Sequence, residues 1–488
     1  MTTDQNEWFR SLNAGLPDDV ARLKAAGYYE EAVARIDALL AEDWTAVQNG
    51  PNTGANPAPA MPDAQREALL AQREILRRLP AEYIYTEQQA VEKMQAQVTG
   101  FTLEELRALE RAGRVDWRFV EGEKHYFDRF DETLLATDPA FAARRRVPEP
   151  DSGASLARRK ATHEKMLREG SASARITVEA SVGMSDAAFA RALARARAEG
   201  RHTVHVRAWL PLPAACESQS DLRLEHFSEP PAHVAAPDAP QRTAFWEANL
   251  AENRRFTARY SYTQTARYAD PLGFASDPDQ PSFDTGEEAP HIVFTPYLRA
   301  LAKDICRGCS TPAEKARAIY DYVTGQVDYR YQPAYLQLDC IADQCAKTLR
   351  GDCGVFALLF ITLCRISGIP ARWQSGLAVR PDSVGPHDWA MFYLAPHGWL
   401  WADCSFGSSA RRNGETERRR HYFGSLDPWR MVANSAFQAP LTPPMQDWRQ
   451  DPYDNQVGEM MVGGRGLDAS ERETSQELLE FELLPGET

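Results

Sequence analysis

The stretch Leu349–Gly376, LRGDCGVFALLFITLCRISGIPARWQSG, sets Cys353 between Gly351 and Gly354 at the head of a long apolar run. The run is apolar on nearly all sides and stops at Gly368, before Pro370, which predicts a buried central helix. Starting that helix at Cys353 places the thiol among unpaired backbone N–H groups, at the positive end of the helix dipole, where the nucleophilic thiolate is favoured. The same N–H groups are placed to donate to an oxyanion. Gly351 and Gly354 allow the backbone a sharp turn and a substrate close approach. Cys364, inside the helix, reads instead as a small buried hydrophobe.

A thiol nucleophile needs a base and a third group to orient that base. Downstream, IPARWQSGLAV predicts a strand, and HDWAMFYLAPHGWLWADCSF predicts a hairpin turning at Ala395–Gly398. A three-residue loop, Ala395–His397, sets Leu394 opposite Gly398, Trp389 opposite Asp403 and His387 opposite Ser405, so that His387 and Asp403 become diagonal neighbours on one face. A two-residue turn sends them to opposite faces. Asp388 competes as the orienting acid, but as the strand neighbour of His387 it points the other way, and Asp403 is preferred. His397 falls in the turn and reads as exposed.

These segments resemble the transglutaminase-like superfamily, relatives of the papain-like cysteine proteases. GDCGVFALLFITLCRISGIPARWQSG, HDWAMFYL and GWLWADCSFG carry the resemblance, within about residues 290–430. It implies an α+β core with a central helix packed on an antiparallel sheet, and a catalytic triad in the order Cys, His, Asp, here Cys353, His387 and Asp403. In the chemistry it implies, Cys353 attacks an amide or ester carbonyl to form a thioester. His387 carries the thiol proton to the leaving amine, Asp403 supports the imidazole, and water or an amine resolves the acyl-enzyme. The substrate expected is a peptide or protein amide, with no cofactor. Hydrolysis, as a protease or amidase, is slightly favoured because water is the default acceptor. Transamidation or deamidation of protein glutamine uses the same residues, and a catalytically silent scaffold that binds a partner is the reading from another class.

Outward from the core, STPAEKARAIYDYVTGQ opens with Thr311, Pro312 and Glu314 in capping-box order. Over residues 175–275 the apolar period changes to two, at Ile176, Val178, Ala180 and Val182, then Val204, Val206, Ala208 and Leu210, then Phe256, Ala258, Tyr260 and Tyr262. This predicts a β-rich, sandwich-like domain, interrupted by the helical insert SDAAFARALARARAEG. VRAWLPLP and RYSYTQTARY resemble the strand-rich domain that precedes the core in bacterial members of the superfamily. Residues 1–170 predict a mainly helical accessory region. It is broken by the linker QNGPNTGANPAPAMPD and carries capping spacing at Thr102 and Glu105 and a hairpin in DWRFVEGEKHYFDRF. The catalytic core spans 286–435. Residues 436–488 read as an extended segment, with LTPPMQDWRQDPYD a surface brace rather than a lid, followed by a mobile acidic tail.

Composition bounds the alternatives. A chain of 488 residues, 43% hydrophobic and 25% charged, folds into two or three domains and is not disordered as a whole. A net charge of −14 opposes binding to nucleic acid or to anionic membrane surfaces. The N-terminus lacks a basic, then apolar, leader pattern, and no run of about 18 apolar residues occurs, so a cytoplasmic protein is expected. Eight cysteines in such a chain read as thiols rather than a disulfide framework. Cys306 and Cys309 in CRGC, with Cys340 and Cys345 in CIADQC, raise a four-thiolate zinc site, but the second spacing is loose and unpaired thiols are the preferred reading. Tyr331 and Gln344 are secondary candidates for oxyanion support. Tyr329, Tyr335, Trp373, Trp389, Trp399 and Trp401 are expected chiefly as packing.

Overall fold

The computed structural model describes residues 15–49, 61–147, 152–273 and 275–485. Most of the linker 48–63 lies outside these residues. The chain divides into two compact units, Met1–Pro150 with Arg330–Asp339, and Asp151–Tyr329 with Cys340–Thr488.

The first unit is mainly helical, with helices that include Asp18–Ala26, Tyr29–Asn49, Asp63–Arg78, Glu87–Gln97 and Leu103–Arg111. Thr102 caps the last of these by accepting from the Glu105 N–H at 3.2 Å. The expected hairpin pairs Trp117 with Tyr126 and Val120 with Glu123. Gly122 at φ +84° supplies its turn, where a Cβ would strain the backbone. The segment Arg330–Asp339 belongs to this unit: the Ala334 N–H donates to Glu82 Oε2 at 2.8 Å, and Arg129 lies 3.7 Å from the centroid of the Tyr331 ring.

The second unit opens with helix α1 (Ser152–Glu169) and strand β1 (Ser171–Met184), followed by α2 (Asp186–Ala198), β2 (Val204–Pro211), β3 (Gln219–Phe227), β4 (His233–Val234), β5 (Thr243–Leu250) and β6 (Phe256–Arg267). Next come α3 (Pro296–Ile305), α4 (Pro312–Gln326), α5 (Ile341–Thr348), α6 (Cys353–Ile366), β7 (Ala371–Arg380), β8 (Ser383–Leu394), β9 (Gly398–Ala402), α7 (Cys404–Arg412), α8 (Thr416–His421), β10 (Phe423–Gly424) and β11 (Arg430–Asn434). The chain ends in β12 (Glu459–Val462), β13 (Arg465–Gly466) and β14 (Arg472–Leu483).

Two antiparallel sheets, ordered β14-β1-β6-β3 and β13-β12-β2-β5-β4, form a sandwich. Its interior is built by the period-two residues: Ile176, Val178 and Val182 of β1 are fully buried among Val206, Ala208, Tyr260 and Tyr262. The third sheet, β10-β9-β8-β7-β11, belongs to the core, and its Leu377, Val379, Met431 and Ala433 join the same apolar cluster.

Against expectation, the acidic tail is a strand. β14 pairs with β1 from Arg472 opposite Met184 to Leu483 opposite Ala174. It is an edge strand whose side chains stay largely in solvent, so it has no apolar alternation to announce it. Backbone pairing and contacts such as Ser181 Oγ to Ser475 Oγ at 2.7 Å hold it.

His291 is fully buried, with Nδ1 accepting the Ile341 N–H at 3.3 Å and its ring edge-on to Tyr453 at 4.4 Å. Burial holds its pKa down at about 3, and burial likewise holds His163 at about 3 and His421 at about 4. Below pH 6.5 the unfolded chain takes up protons that these three folded histidines refuse. Their stabilising contribution, complete above pH 6.5, therefore declines as the pH falls toward 4. The urea midpoint is expected to be lower at pH 5 than at pH 7, and His291→Gln is expected to flatten that difference.

Candidate active site

Helix α6 enters the protein through a fixed N-terminus. The Asp352 side chain caps it, accepting from the Val355 N–H at 3.4 Å, while the N–H groups of Cys353 and Gly354 have no acceptor among the described residues. Gly351 is required for close packing here, since a Cβ would lie 2.3 Å from Val355 Cγ1. From Gly354 to Arg365 the helix is buried throughout, and Phe360 meets Phe392 of β8 edge-on at 5.8 Å. A central helix thus packs on an antiparallel sheet, as the sequence implied.

The β8–β9 hairpin has the three-residue register: Leu394 pairs with Gly398, Phe392 with Leu400 and Ala390 with Ala402. His387 and Asp403 meet in consequence, with Nε2 and Oδ2 2.8 Å apart and both residues buried. Burial alone would raise the Asp403 pKa, but His387, Arg430 and the Phe406 N–H hold it well below the usual carboxylate range. Burial lowers His387 despite Asp403, so the imidazole is neutral near pH 7. An ionised carboxylate only accepts, which puts the imidazole proton on Nε2 and leaves Nδ1 with its lone pair. No hydrogen-bond partner occupies His387 Nδ1 among the described residues. Phe406 stacks on the ring at 4.3 Å.

The largest residue that sequence reasoning missed is Arg430. It is fully buried and forms ion pairs with Asp403 at 2.8 Å and Asp427 at 3.0 Å, and its guanidinium lies 4.6 Å from the Phe406 ring centroid. Tyr422 extends the network, its hydroxyl donating to Asp427 at 3.0 Å. In WRMVAN the arginine is one more charge on a short segment, and only the sheet order brings it under Asp403.

Cys353 sits differently from expectation. Its thiol donates to Asp388 Oδ2 at 3.3 Å, and no hydrogen bond joins it to His387. Neighbouring strand residues face opposite ways, and α6 packs on the face that carries Asp388 and Phe392, so the helix start meets Asp388 while His387 turns toward Asp403 and Phe406. Burial, then the Asp388 and Asp352 carboxylates, push the thiol pKa well above its ordinary value. The thiolate expected from the helix dipole is therefore not the resting form, because desolvation, aided by the acidic neighbours, outweighs the dipole.

Asp388 is held from its far side by the segment read as a surface brace. Gln456 Nε2 donates to Asp388 Oδ1, to Asp454 Oδ2 at 3.1 Å and to the His387 carbonyl at 3.4 Å, and Ser375 Oγ donates to Asp454. The buried Arg449 anchors this strap by donating to the Asp454 carbonyl at 2.7 Å and to Gln241 at 2.9 Å. Burial and the neighbouring Asp454 raise Asp388 far above the carboxyl range and Asp451 to about 8. The strap is exposed at Thr442, Pro444 and Gln446 and largely buried from Trp448 to Asn455, so it is a surface brace at one end and a buried support for β8 at the other.

The secondary candidates separate. Gln344 is exposed on α5, Tyr331 belongs to the first unit, and His397 is exposed in its turn. Trp389 and Trp401 are buried with their Nε1–H groups on Gln374 at 2.7 and 3.1 Å, which is packing. All eight cysteines are unbridged, and among the described residues no group of three or more His, Cys, Asp or Glu could hold a metal. Among the same residues no helix is long and apolar enough to cross a membrane.

The family model of the transglutaminase-like superfamily matches residues 299–404. No curated protein sequence matches the chain. Among solved structures, a candidate cysteine protease from Cytophaga hutchinsonii is 16% identical, with 65% of this chain and 94% of that one covered and a TM-score of 0.39. The periplasmic domain of TgpA from Pseudomonas aeruginosa is 15% identical over 53% of this chain and 96% of that one, with a TM-score of 0.26. A candidate protease from Parabacteroides distasonis is 10% identical over 49% and 61%, with a TM-score of 0.21.

Two variants test the geometry. Asp388→Asn removes an acidic group from beside the thiol, and alkylation of Cys353 by iodoacetamide at pH 8 is expected to accelerate about tenfold. An unchanged rate would assign the high pKa to burial and Asp352. Arg430→Met leaves Asp403 and Asp427 buried without their cation and is expected to cost about 3–5 kcal/mol of unfolding free energy in urea titration.

Proposed function

From a protein of the transglutaminase-like superfamily, and thus a cysteine-dependent enzyme in general terms, we propose an acyl-transfer enzyme that acts on peptide or protein amides through a Cys353 thioester, with Cys353, His387 and Asp403 as its catalytic residues and water as the acceptor. The observation that carries this reading is the His387 base. It is neutral, fixed through Nε2 on Asp403, and free at Nδ1, one residue along the strand from Asp388, where the Cys353 sulfur docks.

In the proposed reaction the thiol exchanges its bond to Asp388 for one to His387 Nδ1 as substrate enters. The sulfur attacks the carbonyl carbon while its proton passes to Nδ1, and the carbonyl electron pair moves to oxygen, where the unpaired N–H groups of Cys353 and Gly354 receive it. Collapse of this intermediate breaks the carbon–nitrogen bond, and the amine leaves with the proton from His387. Water, deprotonated by the same nitrogen, then cleaves the thioester to the acid and restores the thiol. Because the thiol rests protonated, proton removal accompanies attack rather than preceding it. The unbridged cysteines support a reducing compartment and hence the cytoplasm.

A silent scaffold is favoured by one observation, the Cys353–Asp388 bond in place of a Cys353–His387 bond. An assay of ammonia and new amino termini released from glutamine-containing peptides separates the readings. Wild type is expected to turn over, Cys353→Ala to lose all activity, and His387→Ala to lose about 10²–10⁴-fold. Equal product from Cys353→Ala, or none from wild type across a broad peptide set, would favour the scaffold. Release that rises on adding a primary amine, with the amine found in the product, would select transamidation. The acid limb of the activity profile is expected below pH 6.5, since His387 titrates below its ordinary value.

A further inference from the structure

One face of α1 repeats Leu156, Arg159, Lys160, His163, Glu164 and Leu167 at helical spacing, and it faces α8 and the turn before it across a cavity of about 430 Å³. The volume is that of a small-molecule site. The wall has two characters. Leu156 and Leu167, 43% and 51% exposed, mark the two ends of the α1 face, and Tyr268, His421 and His163 form a ring stack, with 3.9 Å between the histidine centroids and 6.2 Å between Tyr268 and His421. Between the leucines the donors turn inward.

Those donors are short of acceptors. Arg159 Nη1 donates to Ser155 Oγ at 3.0 Å, yet its Nε is buried with no acceptor. Arg418, ion-paired to Glu415, also has a buried Nε without one. His163, more than nine-tenths buried, has Nε2 unpartnered, while His421 donates its Nε2–H to the Leu426 carbonyl at 3.0 Å and keeps only a lone pair at Nδ1, so it adds no donor. Glu415 ion-pairs with Arg418 yet keeps its buried Oε2 outside any hydrogen bond, Asp382 lies in the field of Arg159 and Arg380, and Glu164 and Glu417 stand exposed at the rim; the Nε groups of Arg159 and Arg418 still lack an acceptor among the described residues. Arg159 is held below its ordinary pKa by burial and then by Arg418 and Arg380, so the cations crowd one another. Buried donors without acceptors and mutually repelling guanidiniums are both relieved by one anionic group, and the apolar walls take whatever body carries it.

We propose that the groove between α1 and α8 binds an amphiphilic carboxylate, with its anionic group on Arg159 and Arg418 and its apolar body along Leu156, Leu167 and Tyr268. The site takes no part in the proposed acyl transfer, and its occupancy is read by binding alone.

The probe is octanoate, titrated calorimetrically into the full chain at pH 7.5, with acetate and 1-octanol as the charge-only and chain-only arms. Saturable binding of one octanoate per chain is expected, with acetate and octanol each weaker by about tenfold or more. Arg159→Gln is expected to weaken octanoate by about tenfold while leaving octanol unchanged. Leu167→Asp, at a half-exposed position that folding tolerates, places a like charge in the groove and is expected to weaken octanoate as strongly. Circular dichroism and the melting temperature establish that both variants are folded. No saturable octanoate binding, octanol binding as tight as octanoate, or octanoate affinity unchanged in both folded variants would each overturn the proposal.

Discussion

The site depends on a buried cation. Arg430 lies between Asp403 and Asp427 with no exposure to solvent, and its charge is what lets Asp403 stay ionised in a dry interior. A lone buried carboxylate would take a proton, and the imidazole beside it would lose the acceptor that fixes its tautomer. With Arg430 present, His387 is anchored through Nε2 and keeps a lone pair at Nδ1. The arginine itself is carried by β11, the edge strand of the core sheet, which also packs Met431 and Ala433 into the sandwich interior. The orientation of one imidazole is thereby tied to the packing of the sandwich core.

The nucleophile is governed by a competing set of forces. The positive end of α6 favours a thiolate, but burial, Asp388 and Asp352 act against it and prevail. Asp388 in turn does not stand alone, because Gln456 and Asp454 arrive from a strap fixed by the buried Arg449. The resting thiol is bound to the Asp388 carboxyl, and the imidazole proposed as its base belongs to the preceding residue of β8, held by Asp403.

Much of this was legible from residue spacing. The apolar run after Cys353 marks the central helix, the period-two stretches mark β1, β2 and β6, and the three-residue turn at Ala395–His397 forces His387 and Asp403 onto one face. These features are local, set by side-chain periodicity and turn geometry within a few dozen residues. The acidic tail was misread because an edge strand needs only one partner and no apolar face, so β14 looks like disorder until β1 is set beside it.

What the sequence determined by itself is the identity of the elements: which segments are helix or strand, where the thiol stands on its helix, and which histidine and aspartate share a hairpin face. What the tertiary structure alone decided is which groups those residues meet. Arg430 under Asp403, Gln456 against Asp388 and the Cys353 thiol on Asp388 rather than His387 all join segments far apart in the chain. The reason is physical. Local geometry dictates the direction of a side chain, but its protonation state depends on the charges and the water around it, and only the packed fold sets those.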